Sequence, residues 1–394
     1  MNDYTELPSE LLDAAAEMIE QNKTAAVLSD IRPAASFQPE PVHWLWSGRI
    51  PRGYITFLMS PGGTGKSYLS SWIAARISRG EALPDDTAHT AEPVLYITAE
   101  DSGAVLRERL EKCGAALDKV LIHDLDAEAA VMIPDGFDDA ESMQVWKTIL
   151  ETLHPALVVL DVWHAFVPGD VCLDRQNAVR QLMRPLARLA KRYDAAFVLL
   201  AHTTKKAQMY NLNAALIGSS DSVNAARSVL ALIANSETGE KVLIHSKSNL
   251  SELQPSLSFR IENDGFAYIG HSPISKDTVE AAARKGCTAW EMAELRERRE
   301  LDASALCTAL AEMGETGKVL NVAYEDVTEA YGGSIWGGYS PKKALDALRP
   351  EDLLSRGISI SEIGKNVKRD GRSLRGFTLS CMVTNEEVCS ALPR

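Results

Sequence analysis

Eight consecutive residues, Ser60-Pro61-Gly62-Gly63-Thr64-Gly65-Lys66-Ser67, combine bare backbone, one cation and one hydroxyl. Glycines let successive N–H groups curl around a chain of phosphates. A helix starting at Gly65 would add the favourable end of its dipole. Lys66 can then reach the β- and γ-phosphates, and the Ser67 hydroxyl can sit on Mg²⁺. The usual pattern G-x-x-x-x-G-K-[ST] opens on glycine, and Ser60 stands at that position. It only begins the turn. A glycine-rich turn that precedes Lys-Ser by chance would account for the loop but not for its flanks. The apolar run Tyr54-Ile55-Thr56-Phe57-Leu58-Met59 lies before it, and the helix-like Tyr68-Leu69-Ser70-Ser71-Trp72-Ile73-Ala74-Ala75 lies after it. Strand, loop and helix together predict a phosphate-binding loop, with Pro61, Gly62, Gly63, Thr64, Gly65, Lys66, Ser67 and Tyr68 around an ATP molecule.

Three further apolar runs end in polar groups. Ala156-Leu157-Val158-Val159-Leu160-Asp161 reads as a buried parallel strand that delivers a carboxylate to its carboxyl edge, where open α/β sheets bind ligands. Asp161 is expected to align metal-bound water with Ser67. Val94-Leu95-Tyr96-Ile97-Thr98-Ala99 ends in Glu100 and Asp101. Hydrolysis needs a base beside the attacking water, and a carboxylate on a rigid strand end suits that task. Glu100 is the choice for the base, with Asp101 as the alternative, and Asp101 could instead cap the next helix. Phe197-Val198-Leu199-Leu200-Ala201 ends in His202, which can sense a γ-phosphate and pass its presence into the loop that follows. Arg227 and Lys247 are surface cations, or fingers that reach a neighbouring subunit's γ-phosphate.

The chain has 394 residues, enough for two domains and tails. Hydrophobic residues make up 45% and charged ones 24%, the balance of a globular protein. No apolar run is long enough for a membrane helix, and the acidic N-terminus lacks a signal segment, so a cytoplasmic location is expected. The six cysteines (Cys113, Cys172, Cys287, Cys307, Cys381 and Cys389) form no Cys-x-x-Cys pair and suggest neither zinc nor a disulfide framework. The net charge is −13, so nucleic acid could be held only by a local basic patch, such as the pore of a ring.

Residues 1–41 read as an acidic amphipathic helix, Leu7–Gln21, and a proline-bearing linker. Residues 42–272 alternate strands and helices, which predicts an α/β domain with a mostly parallel central sheet. Helices are expected at Gly65–Arg79, Val105–Cys113, Ser142–Leu153, Asp174–Arg192 and Asp221–Arg227. The strands from Ser228 onward follow one another without helices and should extend one edge antiparallel. Residues 276–394 predict helices at Asp277–Lys285, Thr288–Glu300, Ala303–Glu312 and Pro341–Leu348, and short strands at Ser359–Ile363 and Phe377–Val383. The basic segment Lys365, Lys368, Arg369, Arg372 and Arg375 is either a hairpin of a small α+β, winged-helix-like domain or a solvated loop.

The order of these motifs, with Trp44-Leu45-Trp46-Ser47-Gly48-Arg49-Ile50-Pro51-Arg52-Gly53 before them and Gly218-Ser219-Ser220 and Lys247-Ser248-Asn249-Leu250 after, resembles the RecA-like AAA-family ATPases of phages, prophages and plasmids, relatives of the RepA-type hexameric replicative helicase. The resemblance covers about residues 42–262. It implies a RecA-like core, homo-hexameric rings and ATP sites between subunits. It would give Lys66 and Ser67 to phosphate and metal, Glu100 to catalysis, Asp161 to metal, His202 to γ-phosphate sensing and Arg227 to action in trans. The leading expectation is an ATP- and Mg²⁺-dependent ring motor on single-stranded DNA. Lys205 and Lys206 would hold the strand from a pore loop over Thr203–Ile217, with Arg175 as a second contact and replication or phage/plasmid proteins as further partners. The alternative is an ATP-switched regulator that uses its C-terminal domain on DNA or protein. A small-molecule kinase is disfavoured, since no acceptor-binding lid is apparent.

Overall fold

The computed structural model describes residues 24–25, 28–29, 31–124, 127–169, 171, 176–203, 225–262, 265–314, 318–331, 341–346, 348, 353 and 357–381. The expected helix Leu7–Gln21, Arg175, the loop with Lys205 and Lys206, and the Gly218-Ser219-Ser220 turn lie outside the described residues, as does all but the end of Asp221–Arg227. Two compact units are present, Met1–His43 and Trp44–Arg394. Among its described residues the first holds a 3₁₀ turn, Ala34–Ser36, tied by the Ser36 hydroxyl donating to the Pro33 carbonyl at 2.8 Å.

In the second unit a short hairpin, β1 (Trp44–Trp46) and β2 (Ile50–Pro51), precedes a nine-stranded sheet among the described residues. Its strands are β3 (Ile55–Ser60), β4 (Val94–Thr98), β5 (Val120–His123), β6 (Leu157–Asp161), β7 (Ala196–His202), β8 (Ser228–Ala234), β9 (Lys241–Ser248), β10 (Ser256–Glu262) and β11 (Gly265–Ser272). The order is β11-β10-β9-β8-β3-β7-β6-β4-β5. Strands β8 to β5 of that order run parallel, and β9, β10 and β11 extend the β8 edge antiparallel, as the sequence pattern anticipated. The final strand of that extension, β11, was not among the expected ones. Its Gly-Phe-Ala-Tyr-Ile-Gly-His-Ser composition is glycine-rich and weakly alternating, and it is defined by its pairing with β10.

Period-two side chains put the central strands in contact with two cores. Phe57, Leu95, Ile97, Val158 and Leu160 face one side, and Leu58, Tyr96, Leu157 and Val159 face the other. Helices α1 (Lys66–Arg79) and α2 (Gly103–Lys112) cover the second side with Leu69, Trp72, Ile77, Leu106 and Leu110. Helices α3 (Ala140–Leu153) and α4 (Gln176–Tyr193) cover the first with Trp146, Leu150, Leu182 and Leu186. This is a three-layer α/β arrangement with a mixed sheet. Both faces of the parallel block are dry, which explains why its strands read as nearly continuous apolar runs.

Helix α5 (Lys276–Lys285) leads through Gly286 into α6 (Ala289–Met313), whose Thr288 and Glu291 form a reciprocal N-terminal cap. The sequence suggested two helices here, Thr288–Glu300 and Ala303–Glu312. The structure has one, because Leu301-Asp302-Ala303 contains neither glycine nor proline to stop it. Its first turn packs on the sheet core through Ala289. Its last turns pack into a third core with Leu306, Cys307, Leu310 and Ala311.

That third core also takes residues from β12 (Val319–Ala323), α7 (Tyr324–Tyr331), α8 (Pro341–Asp346), β13 (Ile358–Arg369) and β14 (Arg372–Cys381). These strands form an antiparallel sheet in the order β12-β14-β13. The basic segment therefore belongs to a hairpin and not to a loop, and its strands are longer than the expected Ser359–Ile363 and Phe377–Val383. The turn Arg369-Asp370-Gly371-Arg372 has φ of +47° at Asp370 and +78° at Gly371, the backbone that two-residue hairpin turns require. At Gly376, β14 comes so close to Val322 of β12 that a Cβ would meet its carbonyl.

Candidate nucleotide-binding site

The phosphate loop leaves β3 at Ser60 and enters α1 at Lys66. Gly63 and Gly65 have φ of +72° and +105°, where side chains are strained. At Gly62 and Gly63 a Cβ would meet nothing within 4 Å, so their backbone borders open space. At Gly65 it would lie 2.8 Å from Ile261 Cδ1 and 3.2 Å from Lys241 Cε, so a side chain there would push on these two side-chain ends in addition to the strain of the positive φ. Thr64 Oγ1 donates to the Pro61 carbonyl at 2.8 Å and closes the loop on itself. The next residue after Ser67, Tyr68, lies under the Arg109 guanidinium, 5.0 Å from its ring centre.

Lys66 is buried. Its Nζ donates to Ser60 Oγ at 3.2 Å and to His202 Nδ1 at 3.1 Å. Burial lowers its pKa, and the charges of Asp161 and Glu100 act against that fall. The Ser60 hydroxyl is thus a ligand for the lysine at the position where the common pattern has glycine. His202 faces Glu100 with its other nitrogen, Nε2 to Oε1 at 3.3 Å. With Lys66 donating to Nδ1, the ring proton is on Nε2 and points at the Glu100 carboxylate. Lys66, His202 and Glu100 are therefore one hydrogen-bonded row along the carboxyl ends of α1's loop, β7 and β4.

Asp161 ends β6 and is 1% exposed. Its Oδ2 accepts from the Tyr96 hydroxyl at 3.0 Å, and that hydroxyl also meets Ser70 Oγ at 2.7 Å. Burial raises the pKa of Asp161, while Ser67 and Tyr96 favour the carboxylate. Oδ1 has no hydrogen-bond partner among the described residues. Tyr96 is itself pushed far above the usual phenol value by burial and by the neighbouring carboxylate. The peptide bond after Asp161 is cis.

Asp101 does not cap α2. That place belongs to Ser102, and Asp101 instead pairs with Arg109 at 2.7 Å. Asp101 is thus occupied by a guanidinium eight residues further along the chain, while Glu100 faces the His202 ring. Among the described residues no three His, Cys, Asp or Glu side chains gather to hold a metal ion. Mg²⁺ on a nucleotide needs no such cage, because phosphates and water fill most of its positions. The Ser67 hydroxyl and the unpartnered, buried Asp161 Oδ1 fit that smaller demand.

Arg227 and Lys247 are not in this cluster. The Arg227 N–H donates to the Ile55 carbonyl at 3.2 Å, and Lys247 Nζ donates to the Ala226 carbonyl at 3.0 Å. The Arg227 backbone is level with Ile55 at the start of β3, about 17 Å along the strand from Ser60 at ~3.3 Å per residue, and Lys247, through Val229, is level with Phe57, about 10 Å from it. Burial and the charge of Arg227 lower the pKa of Lys247. Four residues near the site escaped the sequence reading: Tyr96, Ser70, Lys241 and His164. The His164 ring lies 6.3 Å from that of His202, and burial followed by the charge of His202 depresses its pKa. The only sequence signal for it is its place three residues after Asp161.

Residues 21–208, a stretch that holds the phosphate loop, Glu100, Asp161 and His202, match the family model described as AAA domain. The match supports an AAA-domain, P-loop NTPase assignment for this stretch of the chain, a family for which nucleotide hydrolysis with ATP and Mg²⁺ is general.

Proposed function

We propose that the chain is an ATP-hydrolysing motor that assembles into a homo-oligomeric ring, of the RepA-related phage or plasmid type, and acts on single-stranded DNA. One observation carries this reading. The row Lys66–His202–Glu100 lies at one edge of the sheet, while the cations Arg227 and Lys247 lie toward the other. A head-to-tail contact between two copies would bring one edge against the other, and repeated heterologous contacts close into rings. A hexamer is the ring size the family resemblance implies.

In this mechanism Lys66 neutralises the β- and γ-phosphates as the bond to the leaving β-phosphate oxygen stretches. Ser67 and, through water, Asp161 would hold Mg²⁺, which would supply further neutralisation. Glu100 accepts the proton from water as its oxygen attacks the γ-phosphorus. Arg227, with Lys247 as the other candidate, stabilises the charge from the neighbouring copy. His202 touches both Lys66 and Glu100 and is followed directly by the segment that carries Lys205 and Lys206. Loss of the γ-phosphate is thereby passed to the residues proposed to grip DNA, with Arg175 as an additional contact.

A second reading is favoured by a different observation. Among the described residues α6 to β14 run helix, strand, helix, helix, strand, strand, an order in keeping with the winged-helix-like unit of this second reading. It suits an ATP-switched regulator without unwinding. Native mass with and without ATP and single-stranded DNA, beside strand displacement and DNA-stimulated ATPase, separates the two. A ring with displacement supports the motor. A monomer with full ATPase activity, or a ring that is not stimulated by single strands, removes it.

A further inference from the structure

We infer that the β13–β14 hairpin is a second, separate nucleic-acid site, one that grips the phosphates of duplex DNA. The inference goes beyond the motor reading and does not depend on it. Residues 357–381 hold five cations and two acids in a chain of net charge −13. The acids are spent locally, or sit at the turn. Glu362 pairs with Lys365 at 2.8 Å, Arg369 pairs with Asp326 of α7, and Asp370 occupies the turn. No carboxylate among the described residues pairs with Lys368, Arg372 or Arg375. Arg375 Nη1 donates to the Gly364 carbonyl at 2.6 Å, which fixes its side chain along the ribbon.

The register separates the two faces. Val367 pairs with Leu374 and points inward. Lys368 opposite Ser373, and Asn366 opposite Arg375, point outward and are exposed, and Arg372 is exposed at the tip. The ribbon is rigid, because its two-residue turn and its pairing with β12 fix it from both ends. The outward cations Lys368 and Arg375 are diagonal neighbours across the ribbon, about 7–8 Å apart, a spacing that suits successive phosphates of one DNA strand, and Arg372, opposite Arg369, adds charge at the tip.

Duplex DNA is the form this surface fits. Two strands ~4.8 Å apart with their side chains make a ribbon that the roughly 12 Å major groove admits. Single strands are held on aromatic platforms as well as cations. The one aromatic residue of the hairpin, Phe377, is 0% exposed and belongs to the third core, so no platform is offered. Double-stranded RNA is disfavoured by its deep, narrow major groove. Outward Asn366, Ser373 and Arg375 are also the side-chain types that reach base edges.

The test uses the full-length protein without nucleotide and the anisotropy of a labelled duplex of about 20 base pairs, beside its single strand, over a salt series. The variant is the triple Lys368→Ala/Arg372→Ala/Arg375→Ala. At about 0.1 M salt its duplex affinity should fall about tenfold or more, and the slope of log K against log salt should shrink by up to ~2.7. Single-strand affinity and basal ATPase should not change. The charge-conserving pair Lys368→Arg/Arg375→Lys should bind duplex as the parent does, and it guards against a variant that merely misfolds. Unchanged duplex binding in the triple variant, absent duplex binding by the parent, or equal loss on both DNA forms overturns the inference. Loss in the charge-conserving pair does so too. Lys66→Ala should still bind duplex, so failure of the motor reading leaves this result separate.

Discussion

Lys66 must keep its charge in a buried place, and His202, Ser60, Asp161 and Glu100 are the groups around it. Lys66→Ala should abolish ATP affinity or turnover. Glu100→Gln should still bind ATP, while turnover falls by about 10²–10⁴, because the shape stays and the base is gone. Equal loss of ATP binding in both would remove the role given to Glu100. A second residue-scale outcome concerns His245, which is 3% exposed. Its Nδ1 accepts from the Gln254 N–H at 3.1 Å, and Nε2 faces Ser228 Oγ at 3.2 Å. Both contacts are satisfied by the neutral ring. Burial, followed by the charge of Arg49, lowers its pKa to about 4. Between about 6.5 and 4 the unfolded chain therefore binds a proton that the native state refuses, and stability rises with pH there. Acidification through that window should cost on the order of 3 kcal/mol at this site. The urea midpoint of His245→Gln should depend less steeply on pH than the parent's, and parallel curves would count against the assignment. Asp161, Glu100 and His202 were legible from the sequence because each ends an apolar strand. Tyr96, Ser70 and Lys241 were not, since their roles come from hydrogen bonds and packing between elements far apart in the chain.

Elements place these groups, and their ends can be tested. Gly65 is pinned by φ +105° and by Ile261 and Lys241. Gly65→Ala should cost about 1–3 kcal/mol or distort the loop, and ATP affinity should fall with it. Tyr96 ties β4 to β6 through Asp161. Tyr96→Phe removes a donor to a buried carboxylate, so the pKa of Asp161 should rise further. The acidic limb of the ATPase pH profile then moves to higher pH, and stability drops by about 1–2 kcal/mol. An unmoved limb would show that Tyr96 merely packs. The parallel strands were legible as apolar runs between turn residues, and the α6 caps as Thr-x-x-Glu. Continuity of α6 was obscured by the dense charges around Arg296–Glu300. Those charges are compatible with a helix exposed on all sides at its middle, where no core imposes a stripe. Strand β12 and helix α7 were missed for a related reason. Each is short, and each is defined by a partner, β14 for the one and the third core for the other.

For the whole molecule, the placement of Arg227 and Lys247 across the sheet from the phosphate loop predicts that catalytic halves can be exchanged between copies. Mixing Arg227→Ala with Lys66→Ala should restore part of the ATPase activity that each lacks alone, because some contacts then receive one intact half from each. No recovery at any mixing ratio would argue that each copy hydrolyses ATP by itself. The two classes of core are joined in a further way. Lys241 borders Gly65 of the phosphate loop, and its neighbour Glu240 accepts from Trp290 Nε1 at 2.7 Å in the first turn of α6. Helix α6 spans 25 residues, about 37 Å at ~1.5 Å per residue, with its far end embedded in the third core. Such a helix acts as a lever with its short arm at the nucleotide. A tilt of about 10° at Trp290 carries Met313 through about 6 Å, roughly the spacing of two phosphates along a DNA strand. A small tilt beside the phosphate loop would therefore read out as a larger displacement of the third core, which the distance between spin labels on α1 and β14, with and without ATP, would report.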